Sequence, residues 1–141
     1  MLIKQNIVTQ IFAATQNICQ ESGGILGAEN GVICNVVYDR GIQTARCSYE
    51  PDVNFLNYMI ANWQERKISF VGLFHTHFFS VPTLSKGDIE YIESIMHAMP
   101  KEIERLYFPI ILPESKTIIP YLAIRKPDSV KIIKDNLQIV D

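Results

Sequence analysis

Ile68-Ser-Phe-Val-Gly-Leu-Phe-His-Thr-His77 is the stretch from which the rest of the chain is best read. From Ile68 to Phe74 it is a nearly uninterrupted apolar run of strand length, the pattern of an interior strand covered on both faces. Covered faces require helices, and both flanks supply them. Upstream, Val53, Leu56, Met59, Ile60 and Trp63 form an amphipathic stripe that begins beside Pro51 and Asp52 and ends in the polar run Gln64 to Lys67. Downstream, Asp88, Ile92, Ile95 and Met99 share one helical face after Ser85, and Pro100 stops the helix. Further out, Ile7, Val8, Ile11, Phe12, Ile18 and Cys19 predict a first helix that runs to Gly23-Gly24. Gly24 to Ala28, Gly31 to Tyr38 and Thr44 to Tyr49 read as short strands, with Glu29-Asn30-Gly31 and Asp39-Arg40-Gly41 as turns between them. Tyr107 to Leu112 and Ile118 to Arg125 are further strands around a Pro113 to Lys116 turn, and Val130 to Val140 is a strand or short helix. No repeat, linker or boundary interrupts the pattern, so residues 1–141 read as one α/β (α+β) domain.

Composition agrees. A chain of 141 residues fits one domain and buries roughly two-thirds of the surface its unfolded form exposes. Neither a disulfide nor a metal is needed merely to hold it together, so any metal is there for chemistry. Hydrophobic residues at 48% and charged residues at 20%, with seven Gly and seven Pro, exclude disorder and low complexity. Fifteen acidic against thirteen basic residues give a net charge of −2, which provides no positive field for nucleic acid or anionic lipid. Cys19, Cys34 and Cys47 are odd in number and form no CxxC, which speaks against a disulfide framework and for a reducing cytoplasm. Met1 to Gln20 is broken up by Gln, Asn and Thr, and no apolar run approaches the ~20 residues of a membrane span, so neither a signal peptide nor a membrane helix is expected.

The chemistry-bearing residues lie at the end of the apolar strand. His75 and His77 are two apart on an extended segment, so both imidazoles leave the same face, as two ligands converging on one ion must. An ordinary surface pair has the same spacing, and a third group has to decide. Asp88 lies eleven positions after His77 on the inward face of its helix, where a carboxylate needs a partner. Ser85-Lys-Gly-Asp88 also reads as a capping box at a helix start. His97, nine residues on, falls half a turn off that face and suits the negative helix end instead. Two histidines, a carboxylate and an open fourth position is the pattern of a catalytic zinc, which wants a further carboxylate that is not a ligand. Glu21, before Gly23-Gly24, and Glu29 are the candidates, Glu21 reading equally as a solvated helix-end carboxylate.

Glu21-Ser-Gly-Gly-Ile-Leu-Gly27, Val71-Gly-Leu-Phe-His-Thr-His77 and Ser85-Lys-Gly-Asp88, taken in order, resemble the JAMM, or MPN-plus, zinc metalloprotease family. Its pattern is a Glu ahead of a Gly-Ile-Leu strand, then His-Ser/Thr-His, ten intervening residues and Asp, with Ser three before that Asp. The resemblance covers roughly the first hundred residues. It departs at Phe78, commonly Pro in the family, at Leu73, often aromatic, and at Pro82, three residues before Ser85 rather than adjacent to it. The resemblance implies a single-domain MPN fold, a mixed curved sheet with flanking helices on a plan like that of the zinc deaminases. It implies zinc held by His75, His77 and Asp88, Glu21 as general base and Ser85 as oxyanion donor. It also implies hydrolysis of the amide or isopeptide bond after the C-terminal tail of ubiquitin or a ubiquitin-like protein, by a small prokaryotic-type member. A metal-free MPN scaffold and a RadC-like, DNA-associated protein are the alternatives; retention of all five positions counts against the first and the acidic balance against the second. The apolar loop Phe78 to Leu84 is either tucked core or a surface for a partner, substrate or second copy.

Overall fold

The computed structural model describes residues 1–42 and 49–141. The strand expected over 44–49, and Cys47 with it, therefore lies outside the described residues apart from Tyr49. In chain order the elements are β1 (Leu2–Lys4), α1 (Gln5–Thr15), β2 (Gly23–Glu29), β3 (Val32–Asp39), α2 (Val53–Glu65), β4 (Ser69–Thr76), α3 (Lys86–Ala98), β5 (Arg105–Tyr107), β6 (Ile110–Leu112), β7 (Thr117–Ile119), β8 (Tyr121–Arg125), β9 (Val130–Lys134) and β10 (Gln138–Val140). All the described strands join one mixed sheet, ordered β10-β1-β3-β2-β4-β5-β8-β9, with β6 and β7 branching from β4.

The apolar run is the centre of this sheet. β4 is antiparallel to β2 and parallel to β5 and β6. Beyond the register shift at Val71 its side chains alternate between two cores, as a period of two demands. Phe74 joins Leu26, Ile33 and Ile111 beneath Ile7, Val8 and Ile11 of α1. Leu73 joins Ile25 and Phe108 on the opposite face, under Leu56 and Trp63 of α2 and Ile92 and Met96 of α3. One helix covers one face and two cover the other, which is why the strand is apolar throughout. Gly27 lets α2 approach: a Cβ there would lie 2.9 Å from Trp63 Cζ3. Register shifts beside Gly27, with Cys34 the extra residue in β3 and Val71 in β4, bend those two strands and curl the sheet.

Several boundaries differ from expectation. The first helix ends at Thr15, not near Cys19, because Gln16 turns to extended backbone, ψ 146°, and Asn17 follows with a left-handed φ of 62°. Ile18, Cys19 and Glu21 are thereby on an extended connection to β2. The two long C-terminal strands are each divided, at Pro109 and Pro120, residues that cannot donate to a ladder. The paired fragments diverge, β5 with β8 and β6 with β7. The last segment is two strands, the second lying parallel to the unforeseen β1. The Asn30-Gly31 turn, both residues at positive φ, is as expected.

Candidate metal centre

β4 aims its last residues at α3. His75 continues the face of Leu73, so it emerges on the α2/α3 side, and His77 follows two residues on. α3 is docked on that side by Ile92 and Met96, and its first turn carries Asp88. Nε2 of His75 lies 2.8 Å from Nε2 of His77. The Asp88 carboxylate straddles them, Oδ1 at 3.3 Å from His75 and Oδ2 at 3.1 Å from His77. The three donors fall within 4.8 Å of one another.

The donor set fits a metal ion. His77 Nδ1 lies 3.0 Å from the Val81 carbonyl, which cannot donate, so Nδ1 carries the proton and Nε2 of the neutral ring presents a bare lone pair to His75 and Asp88. Nitrogens this close, beside a carboxylate, require a shared cation, whether a proton or a metal, and two imidazoles with one carboxylate suit a borderline divalent ion. Burial lowers the His77 pKa, but the bonds to Asp88 and the Val81 carbonyl, with the charges of Asp88 and Glu21, raise it overall. Burial likewise pushes Asp88 up, yet the two histidines and the Ser85 N–H hold it well below the usual carboxylate range.

Ser85 and Asp88 form the capping box: Ser85 Oγ accepts from the Asp88 N–H at 3.1 Å and Asp88 Oδ2 from the Ser85 N–H at 2.8 Å. The cap and the candidate ligand are thus the same carboxylate, and the Ser85 hydroxyl proton is left unused by the cap. Glu21 arrives from the neighbouring strand. Gly23 is opposite His75 in the β2–β4 ladder, so the same register continued by two residues sets Glu21 opposite His77 and on its face. Thr76, pointing the other way, secures that register: its N–H donates to the Ser22 carbonyl at 2.8 Å and its hydroxyl accepts from the Ser22 N–H at 2.9 Å.

Glu21, His75, His77, Ser85 and Asp88 all line one open cleft of about 1470 Å³. His97 is exposed in the last turn of α3, and Glu29 is exposed at the far end of β2. The loop after His77 divides. Leu84 packs into the core of α2 and α3, while Phe79 is 89% exposed, held there by left-handed φ angles of 56° and 53° at Phe79 and Ser80. The Tyr121 hydroxyl, donating to the Pro82 carbonyl at 3.1 Å, fixes the loop's second half. Sequence reasoning missed Thr76 as a clamp, and it missed Tyr49, whose N–H donates to Glu21 Oε2 at 3.3 Å, and Asp39, which accepts from the Tyr49 hydroxyl at 2.8 Å. Asp39-Arg40-Gly41 carried only a turn signal, and nothing local links it to Glu21.

No protein-family model matches the sequence, and no curated protein matches it. Solved structures do. A protein of Desulfitobacterium hafniense, known from a solution structure, is similar with a TM-score of 0.70 at 17% identity, the match covering 99% of this chain and 92% of that one. The crystal structure of a JAB1/MPN domain protein from Archaeoglobus fulgidus gives 0.59 at 15% identity and covers 100% of both chains. At these identities the likeness is one of fold, and the curled mixed sheet with its flanking helices is MPN-like.

Proposed function

We propose that the protein is a zinc-dependent peptidase of the JAMM type, which hydrolyses the amide or isopeptide bond after the C-terminal tail of a ubiquitin-like protein. The observation that carries this reading is the convergence of His75, His77 and Asp88 at the end of β4, with Glu21 on the same face of the next strand. A metal-free scaffold has no use for that arrangement. Zinc bound by the three ligands supplies Lewis acidity, polarising a carbonyl and acidifying water. Glu21, as general base, takes the proton of the attacking water and returns it to the leaving amine. Ser85 turns its free hydroxyl proton to the carbonyl oxygen as negative charge develops there. An extended tail fits the open cleft, where bonds to backbone groups would supply affinity with little demand on side chains. The exposed Phe79 at its mouth is a contact for the folded body of the substrate, or for a second copy. None of the helices in the described residues is long and apolar enough to cross a membrane.

The test is to assay fusions and isopeptide conjugates of ubiquitin-like proteins against unstructured peptides and casein, each with and without chelator. Glu21→Gln should retain metal and lose ~10²–10⁴ of the rate, while Glu29→Gln is nearly silent. Chelator-sensitive cleavage of the unstructured set alone makes this a general peptidase. Loss of metal from Glu21→Gln removes the role given to Glu21.

A further inference from the structure

Asp39, at the end of β3, is 5% exposed and has no cation beside it among the described residues. Its charge is satisfied by three donors instead: the Gly41 N–H at 2.9 Å on Oδ1, and on Oδ2 the Tyr49 hydroxyl at 2.8 Å and the Asp52 N–H at 3.0 Å. The turn at Gly41 needs only the first of these. The second fastens Tyr49, whose ionisation is driven far up by burial and by its bond to Asp39, so the phenol stays a donor. The ring lies flat on two glycines: a Cβ at Gly23 would sit 2.5 Å from its Cε2 and one at Gly41 3.0 Å from its Cδ1. Next to it the Ile42 N–H donates to the Glu50 carbonyl at 2.8 Å. Tyr49 is thus held by its hydroxyl, its ring and its flanking backbone, and in this pose its own N–H donates to Glu21 Oε2 at 3.3 Å.

That is the one hydrogen bond to the Glu21 carboxylate among the described residues. It occupies Oε2 and leaves Oε1 for the cleft. A carboxylate that must meet a proton needs one oxygen held and the other free, and a misplacement of 1 Å at such a group costs about 10²-fold in rate. We propose that Tyr49 is the positioning residue of Glu21, with Asp39 as the anchor that holds Tyr49. This rests on the reading of Glu21 as general base. The competing account is purely architectural: Asp39 would serve only to secure the start of α2 through Asp52.

The experiment compares Tyr49→Phe, Glu21→Gln and the double variant in metal-loaded, ¹⁵N-labelled protein, with Tyr58→Phe on the exposed side of α2 as control. Tyr49→Phe keeps the ring and leaves Asp39 two of its three donors; Asp39→Asn is the second variant should the first fold poorly. Glu21→Gln should move the residue-49 amide proton upfield as its bond to a charged acceptor weakens. Tyr49→Phe should move it in the same direction, and Tyr58→Phe should not. Turnover of Tyr49→Phe should fall roughly tenfold to 10²-fold with KM and metal content unchanged, and the double variant should be no slower than Glu21→Gln. An unmoved residue-49 amide in Tyr49→Phe, an unchanged kcat, or losses that multiply in the double variant overturn the proposal. If the wild-type protein cleaves none of the substrates, the peptidase reading fails on its own, and the amide comparison still decides whether Tyr49 holds Glu21.

Discussion

His75, His77 and Asp88 act as one unit because the cation that any of them needs is shared by all three. Replacing both His75 and His77 by Ala should therefore abolish metal binding, while His97→Ala leaves it unchanged. Elemental analysis of the purified variants checks this, and full zinc in the double variant would refute it. The same sharing gives the metal-free protein a characteristic pH dependence. His77 has a raised pKa in the folded state, so its contribution is complete below the unfolded value of about 6.5 and is lost as pH rises. Asp88 has a lowered one, so its contribution is present above about 3.9 and is lost as pH falls. The apo protein should gain most from the pair between those limits, whereas the zinc-loaded form should become more stable as pH rises through about 6.5, because protons compete with metal for imidazole. Urea midpoints across a pH series, with zinc and with chelator, distinguish the two; identical profiles would contradict the shared-cation account. The convergence of His75, His77 and Asp88 was legible in the sequence because a strand repeats every two residues and Ser-x-x-Asp marks a helix start. The contact to Glu21 was not, since Tyr49 lies 28 residues further along the chain and Asp39 is joined to it only through the Tyr49 hydroxyl.

On the function proposed above, the first turn of α3 has two duties, and the energies separate them. Ser85→Ala removes the cap, worth about 1 kcal/mol of stability, and would also remove an oxyanion donor, worth about 2.7–4 kcal/mol of barrier. The expected outcome is a small drop in denaturation midpoint with a large drop in kcat. A variant less stable by the cap value but with unchanged kcat would make Ser85 a cap alone. Elements with a strong periodic signal were read well: α2, α3 and β4 lie within a residue or two of expectation. Met96, fully buried on the inward face of α3, was overlooked beside the regular series of Ile92, Ile95 and Met99. Boundaries set by backbone rather than by apolar pattern were misread. The turn at Gln16 and Asn17 ends α1 early, and Pro109 and Pro120 divide strands whose apolar pattern runs straight through them.

For the molecule as a whole, the order of helices and strands was legible, and so was a mixed sheet covered on both faces. The pairing of β1 with β10 was not, because three residues carry too little periodicity and their partners lie at the opposite end of the chain. That pairing has a mechanical consequence. β1 and β10 run parallel, with Leu2 beside Gln138, Ile3 beside Ile139 and Lys4 beside Val140. Tension applied through Met1 and Asp141 is therefore directed along the two strands in opposite senses. It loads their hydrogen bonds together in shear, where an antiparallel pair at the ends would peel open one bond at a time. Stretched in optical tweezers by these two points, the protein should resist until a single abrupt rupture. Attached instead at Arg40, beyond the end of β3, which runs parallel to β1, and at Asp141, it is loaded so that β10 peels from β1 one bond at a time, and it should yield at lower load.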